Sequence, residues 1–188
     1  MKKLVLGTLV ILGVLGATAG ASAAPIYATG LVGTTPPTTA FGSGLVTGAA
    51  DGGGIFLGNP ATVGSSITVS FTTALGNGAG DDLQIIDIES FGVDPAETAD
   101  VFLSSDDISY TFAGSITGGN AAGGVDFATS GFSGPVFYVR VTQTSILDAL
   151  DVDAFKGNYE YIAVPEPGSL ALCGLALVAL AASRRRKA

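Results

Sequence analysis

"SITVSFTT" (residues 66–73) decides how the rest of the chain is read. Ile67, Val69 and Phe71 alternate with Thr68, Ser70 and Thr72. A period of two places one set on a core face and the other toward solvent, the pattern of a half-buried strand. Outward from it, apolar residues recur in short runs bounded by Gly, Asn, Asp or Ser. "DLQIIDIESF" (82–91) carries apolar residues on both parities and reads as a more central strand. Val101 and Leu103 open another, and Ile108, Tyr110 and Phe112 alternate in "ISYTF" (108–112). In "GPVFYVRVTQ" (134–143), Phe137, Val139 and Val141 share one parity and Tyr138 and Arg140 the other. A last short strand is expected over 159–162, and only "TSILDAL" (144–150) hints at a helical turn. Residues 29–54 read as loop-rich, with Pro36 and Pro37 disfavouring a central strand there. The expected fold class is all-β, an antiparallel β-sandwich or jelly roll.

The two ends have a different composition. Lys2 and Lys3 precede an apolar run over 4–15, and small residues lead to Ala21, Ser22 and Ala23. A basic head, an apolar segment and an A-x-A site predict a signal peptide over 1–23, cut after Ala23 or Ala24. Near the other end, residues 168–182 are uncharged and largely apolar, and Arg184, Arg185, Arg186 and Lys187 follow directly. Fifteen helical residues reach about 22 Å, short of the roughly 30 Å hydrocarbon core, so this short transmembrane helix needs local thinning and snorkelling basic side chains. The basic cluster holds the tail on the cytoplasmic side, which leaves the body outside the inner membrane. Pro165, Glu166 and Pro167 stop a helix from running upstream and keep the backbone extended, a form that a protease can bind.

Residues 164–188 resemble the PEP-CTERM sorting signal in the order and spacing of Pro165-Glu166-Pro167, the Gly/Ala/Leu run and the Arg cluster. That resemblance implies an exosortase, a membrane-embedded cysteine protease of Gram-negative bacteria that often make exopolysaccharide. It further implies a transient inner-membrane intermediate, removal of the tail near Pro165 to Pro167, and passage to the cell surface or extracellular matrix.

The division is therefore 1–23 signal peptide, 24–163 β-sandwich domain and 164–188 sorting signal. Residues 24–164 carry twelve Asp and three Glu against Arg140 and Lys156, a net charge of −13. Such a surface repels nucleic acid and anionic lipid, and attracts divalent cations. The chain has no His, and its one cysteine, Cys173, lies in the tail. Ser-His and Cys-His nucleophiles and the usual zinc sites are thereby excluded, and the body has no disulfide. A carboxylate-pair hydrolase is the enzyme class that composition leaves open, and no spacing selects such a pair. The chain reads as non-enzymatic.

Asp51, Asp81, Asp82, Asp151 and Asp153 are the candidate metal ligands, with Asp87 beside them; calcium takes six to eight hard oxygens, and Asp-rich loops supply carboxylates and carbonyls. The plainer reading is that they are turn residues bonding their own backbone. Arg140 reads as a bidentate donor to a sugar hydroxyl or carboxylate, as one half of a structural ion pair with one of the many Asp residues, or as a snorkelled side chain facing solvent.

A second stretch, over most of 44–161, resembles the non-catalytic domain carried by PEP-CTERM proteins, itself similar to discoidin or galactose-binding-like jelly rolls. The matching elements are "GDDL" (80–83), the Ser-x-Asp turn at 104–106, "YVR" (138–140) and "DVDAF" (151–155). The resemblance implies a carbohydrate-binding module, calcium-dependent in one version. Asp107 stands where the related pattern favours Gly, so a tight turn requiring positive φ is expected to be altered. With no Trp in the chain, stacking on a sugar ring falls to Tyr or Phe.

Overall fold

The computed structural model describes residues 24–36, 38–42, 45–58, 63–87, 97–117, 123–146 and 149–162, together with Gly174 and Leu177. The expected signal peptide, Pro165, Glu166, Pro167 and the cluster Arg184 to Lys187 lie outside the described residues. The strands are β1 (Ile26–Tyr27), β2 (Gly30–Thr35), β3 (Thr38–Phe41), β4 (Gly54–Leu57), β5 (Ser66–Leu75), β6 (Leu83–Asp87), β7 (Thr98–Ser104), β8 (Thr111–Thr117), β9 (Gly123–Val125), β10 (Val136–Gln143) and β11 (Leu150–Gly157). One 3-10 turn, Phe127–Thr129, is capped by the Asp126 side chain.

The strands form two antiparallel sheets, one ordered β2-β5-β10-β7-β8 and the other β3-β4-β11-β6-β9, with β1 paired to the end of β11. The core half of the alternation read from the sequence holds, while Ser66 and Thr68, on the face expected toward solvent, are buried as well. Ile67, Val69 and Phe71 of β5 are buried, as are Val139 and Val141 of β10 and Val101 and Leu103 of β7. They meet Leu57, Leu83, Ile85, Leu150, Val152 and Phe155 of the other sheet in one hydrophobic cluster. Each of these larger side chains contributes roughly 1.5–3 kcal/mol by leaving water.

Pro36 lies between β2 and β3, which are edge strands of different sheets. The chain thus crosses from one layer to the other where a missing N–H costs no ladder bond. Residues 29–54 therefore hold more strand than expected, at edges rather than in the middle.

Three expectations need correction. The strand expected over 108–112 opens only at Thr111, and Ile108 is 84% exposed. Ser104 Oγ accepts from the N–H groups of Asp106 and Asp107, and Asp106 Oδ1 from those of Ile108 and Ser109, so the turn takes the donors that a ladder would need. No strand forms over 159–162; an isolated bridge joins Glu160 to Leu75, and the last strand is β11. Asp151 and Asp153 therefore lie inside that strand rather than before it. Of "TSILDAL", Leu147 and Asp148 are outside the described residues, and Leu150 begins β11.

No helix among the described residues is long and apolar enough to cross a membrane.

Candidate functional site

The acidic candidates fall at two ends of β11. Asp153 is the extra residue of a bulge, since Val152 opposes Asp87 and Ala154 opposes Ile86. Its Oδ1 accepts from the Asp51 N–H at 3.1 Å and its Oδ2 from the Gly52 N–H at 3.0 Å. Asp51 Oδ1 in turn accepts from the Gly53 N–H at 2.9 Å. The loop is thereby cinched onto β11, and the next residue must be glycine. A Cβ on Gly54 would stand 2.0 Å from the Val152 carbonyl oxygen. Asp151, largely buried, opposes Phe56 of β4 in the same region.

Asp82 has no exposed surface and accepts from the Gly78 N–H at 2.5 Å and the Phe127 N–H at 2.7 Å. Burial pushes its carboxyl above the usual 3.8, and the two backbone donors pull the other way. The Asp81 side chain packs against Gly124, while its carbonyl accepts from Asn158 Nδ2 at 2.7 Å. Asn158 also donates its backbone N–H to the Asp82 carbonyl. Asn158, just past the end of β11, lies five steps along the chain from Asp153, about 16 Å at the usual strand rise. The structure therefore does not bring Asp51, Asp81, Asp82, Asp151 and Asp153 together. Among the described residues, no three acidic side chains gather as a metal site requires. Asp82 and Asp153 spend their oxygens on backbone N–H groups, the role that turn-forming carboxylates take.

Arg140 is placed differently. It projects from β10 on the parity opposite Val139 and Val141, with Thr68 of β5 and Phe102 of β7 as its cross-strand neighbours. Its Nε donates to Thr68 Oγ1 at 3.2 Å, and its guanidinium carbon lies 3.8 Å from the centre of the Tyr110 ring, a cation–π contact. The Tyr110 hydroxyl donates to Asp107 Oδ1. Burial and that hydrogen bond push the phenol from 10.0 up to about 12, against the opposing pull of Arg140. Among the described residues no carboxylate forms an ion pair with Arg140, so the ion-pair reading gives way to a stacked, hydrogen-bonded guanidinium.

Above these groups lies an open cleft of about 350 Å³, walled by the β2 edge on one side and by Asp107 on the other, with Ser66, Thr68 and Arg140 along its floor. Asp107 has φ +60°, the one non-glycine residue among those described with positive φ. The turn that the sequence placed in doubt is kept, because Asp tolerates the left-handed region better than most residues. Asp106 beside it is held below 3.8, first by the Ser109 and Ile108 N–H groups and then by Ser104.

Sequence reasoning singled out Arg140 and missed its partners Tyr110, Asp107 and Thr68. The signal available was the acidic turn 104–107, whose Ser and Asp residues end one strand and swing Tyr110 over the sheet.

No curated relative and no solved structure matches the chain. Residues 163–187 match the family model of the PEP-CTERM protein-sorting motif. The chain therefore carries the signal of a protein exported through the membrane to the cell surface or beyond, under the action of an exosortase-type enzyme.

Proposed function

We propose that this protein is a non-enzymatic component of the cell surface or extracellular matrix, cut near Pro165 to Pro167 by an exosortase and associated with exopolysaccharide. Its body, on this reading, is a galactose-binding-like β-sandwich that serves as a binding module. The observation that carries the proposal is the sorting motif at 163–187. Two further features support it. The chain lacks His, and its one cysteine lies in the tail, so nucleophilic triads have no parts to draw on. Among the described residues, Asp107 is the one carboxylate lining the open cleft, where a glycosidase needs two flanking the scissile bond. Binding suits that arrangement better than hydrolysis. The calcium-dependent version finds less support, since the oxygens of Asp82 and Asp153 already accept backbone hydrogen bonds.

The test is the intact mass of the protein from the host's surface fraction, in cells with and without the exosortase. A mass ending near Pro165 to Pro167, found only with the enzyme, is the expected result. A mass that retains Arg184 to Lys187 in both strains would make the tail a permanent anchor and sink the proposal.

A further inference from the structure

We propose that the cleft over Thr68 and Arg140 binds a neutral saccharide through a pair of neighbouring ring hydroxyls. This deepens the exopolysaccharide reading above and names its ligand class.

The argument starts from donors and acceptors. A guanidinium presents five N–H groups in one plane. Here Nε is spent on Thr68, one face on Tyr110 and part of the fork on the Tyr110 hydroxyl, so the remaining η N–H groups are the donors left to a ligand, in a fixed orientation. Asp107 has Oδ1 on the Tyr110 hydroxyl, which leaves Oδ2 as an acceptor on the cleft wall. Thr68 Oγ1 accepts from Arg140 and retains its own proton to donate. Thr35 and Ser66 add two more hydroxyls that can donate or accept. Donors on one side and a carboxylate on the other match a vicinal diol, in which one hydroxyl accepts while its neighbour donates.

Charge separates a neutral sugar from an acidic one. Among the described residues the cleft is lined by one cation, Arg140, and one anion, Asp107, which cancel locally. The domain around it carries a net charge of −13, a field that opposes the approach of a polyuronate. A lone carboxylate-binding arginine would not need Asp107 on the facing wall.

The site is also preorganised. Asp107 occupies the left-handed region at some cost in backbone energy, which the turn bonds to Ser104 and Asp106 hold in place. Tyr110 and Thr68 fix the Arg140 plane before any ligand arrives, so little rotamer freedom remains to be lost on binding. The volume of about 350 Å³ lies at the small end of ligand pockets, and Val32 gives it an apolar patch for ring C–H groups.

The experiment titrates the protein recovered from the host's surface fraction with neutral oligosaccharides of glucose, galactose and mannose, and with an alginate oligomer, by calorimetry. The same titrations follow for Arg140→Lys, which keeps the charge but not the fork, and for Asp107→Gly, which suits the turn but removes the carboxylate. The expected result is saturable binding of at least one neutral series, no binding of alginate, and affinity at least ~10-fold weaker in each variant at an unchanged melting temperature. Asp107→Gly keeps the test sound should Arg140→Lys fold poorly. Alginate binding alone, neutral binding that both variants retain in full, or no neutral series that saturates would each overturn the assignment. Tail processing is read by mass, so a failed titration leaves the sorting proposal standing and a failed mass measurement leaves the titration readable.

Discussion

Asp82 and Asp107 carry the same side chain in two surroundings. Asp82 is enclosed where the Gly-rich loop, β6 and the 3-10 turn meet, and its oxygens bond backbone N–H groups. Asp107 stands at the tip of a turn over the outer face of the other sheet, and its oxygen bonds a side chain that is itself stacked on Arg140. The first holds two segments of chain in register; the second orders side chains around an opening. Most of the fifteen acidic residues in 24–164 cannot be sorted this way by type or spacing. What sorts those that can be is whether the partner is backbone or a side chain facing solvent.

The largest effect that would expose this difference is expected at Asp82. Asp82→Ala leaves the buried Phe127 N–H and the part-buried Gly78 N–H without their acceptor; the buried donor alone costs about 1–3 kcal/mol, and the Gly78 donor, which water can reach, adds less. A loss of about 3 kcal/mol is expected in urea unfolding, with saccharide binding unchanged in the protein that remains folded. Asp82 also sets a pH signature. Its folded pKa is raised, so the native state holds this proton more tightly than the unfolded chain does. The stabilisation is complete below 3.8 and is lost as pH rises through the raised value. Asp106 acts in the opposite sense, with a stabilisation present above 3.8 that is lost as pH falls through its lowered value. Asp82→Asn should remove the first slope and leave the second; if the first slope persists, burial of Asp82 is not its source.

Asp153→Ala comes next, at about 2 kcal/mol, because the two N–H groups it frees at Asp51 and Gly52 are only partly buried. Added calcium should not rescue this variant, and chelator should not shift the melting temperature of the unmodified protein. A chelator-dependent shift would return Asp51 and Asp153 to the list of metal ligands.

How far these roles could be read from the sequence depends on which force set each segment. The alternation over 66–73 follows from burial of one face, a force that leaves a period in the sequence, and β5 formed where that period stood. Strand β11 was hidden because Asp is a poor strand former. Asp153 sits there as a bulge residue whose charge is met by a loop about a hundred residues earlier in the chain, and no local pattern encodes such a partner. Residues 108–110 misled in the opposite direction, since Ile108 and Tyr110 alternate like a strand while Ser104 and Asp106 consume the backbone donors. The sorting tail was legible throughout, because its order of motif, apolar run and basic cluster lies within 25 consecutive residues.

A smaller effect is expected in the titration of Tyr110. Its phenol is raised to about 12, chiefly by burial and next by the Asp107 hydrogen bond. The native state therefore binds the phenolic proton more tightly than the unfolded chain, and the stability it contributes, complete below 10, is lost as pH rises from 10 toward 12. Ultraviolet difference titration should show one tyrosine ionising late. In Asp107→Gly that tyrosine should move part of the way back, because the hydrogen bond goes and the burial stays.

The smallest effect is the stability change of Asp107→Gly itself, and it is the most discriminating. Glycine meets φ +60° without the Cβ penalty of about 1–2 kcal/mol and gives back about 0.5–1 kcal/mol in chain entropy, a net gain of about 0.5–1 kcal/mol. The lost hydrogen bond from Tyr110 costs about as much, since that bond is only partly buried. Unfolding free energies equal within about 0.5 kcal/mol are expected, in contrast to the large loss at Asp82. A loss of about 2 kcal/mol or more would mean that the Asp107 carboxylate also holds the fold, and the distinction between backbone staple and cleft wall would fail. Equality would leave the strained aspartate without a stabilising role, and a residue that departs from the backbone's preferred glycine without gain in stability is one whose side chain serves the cleft.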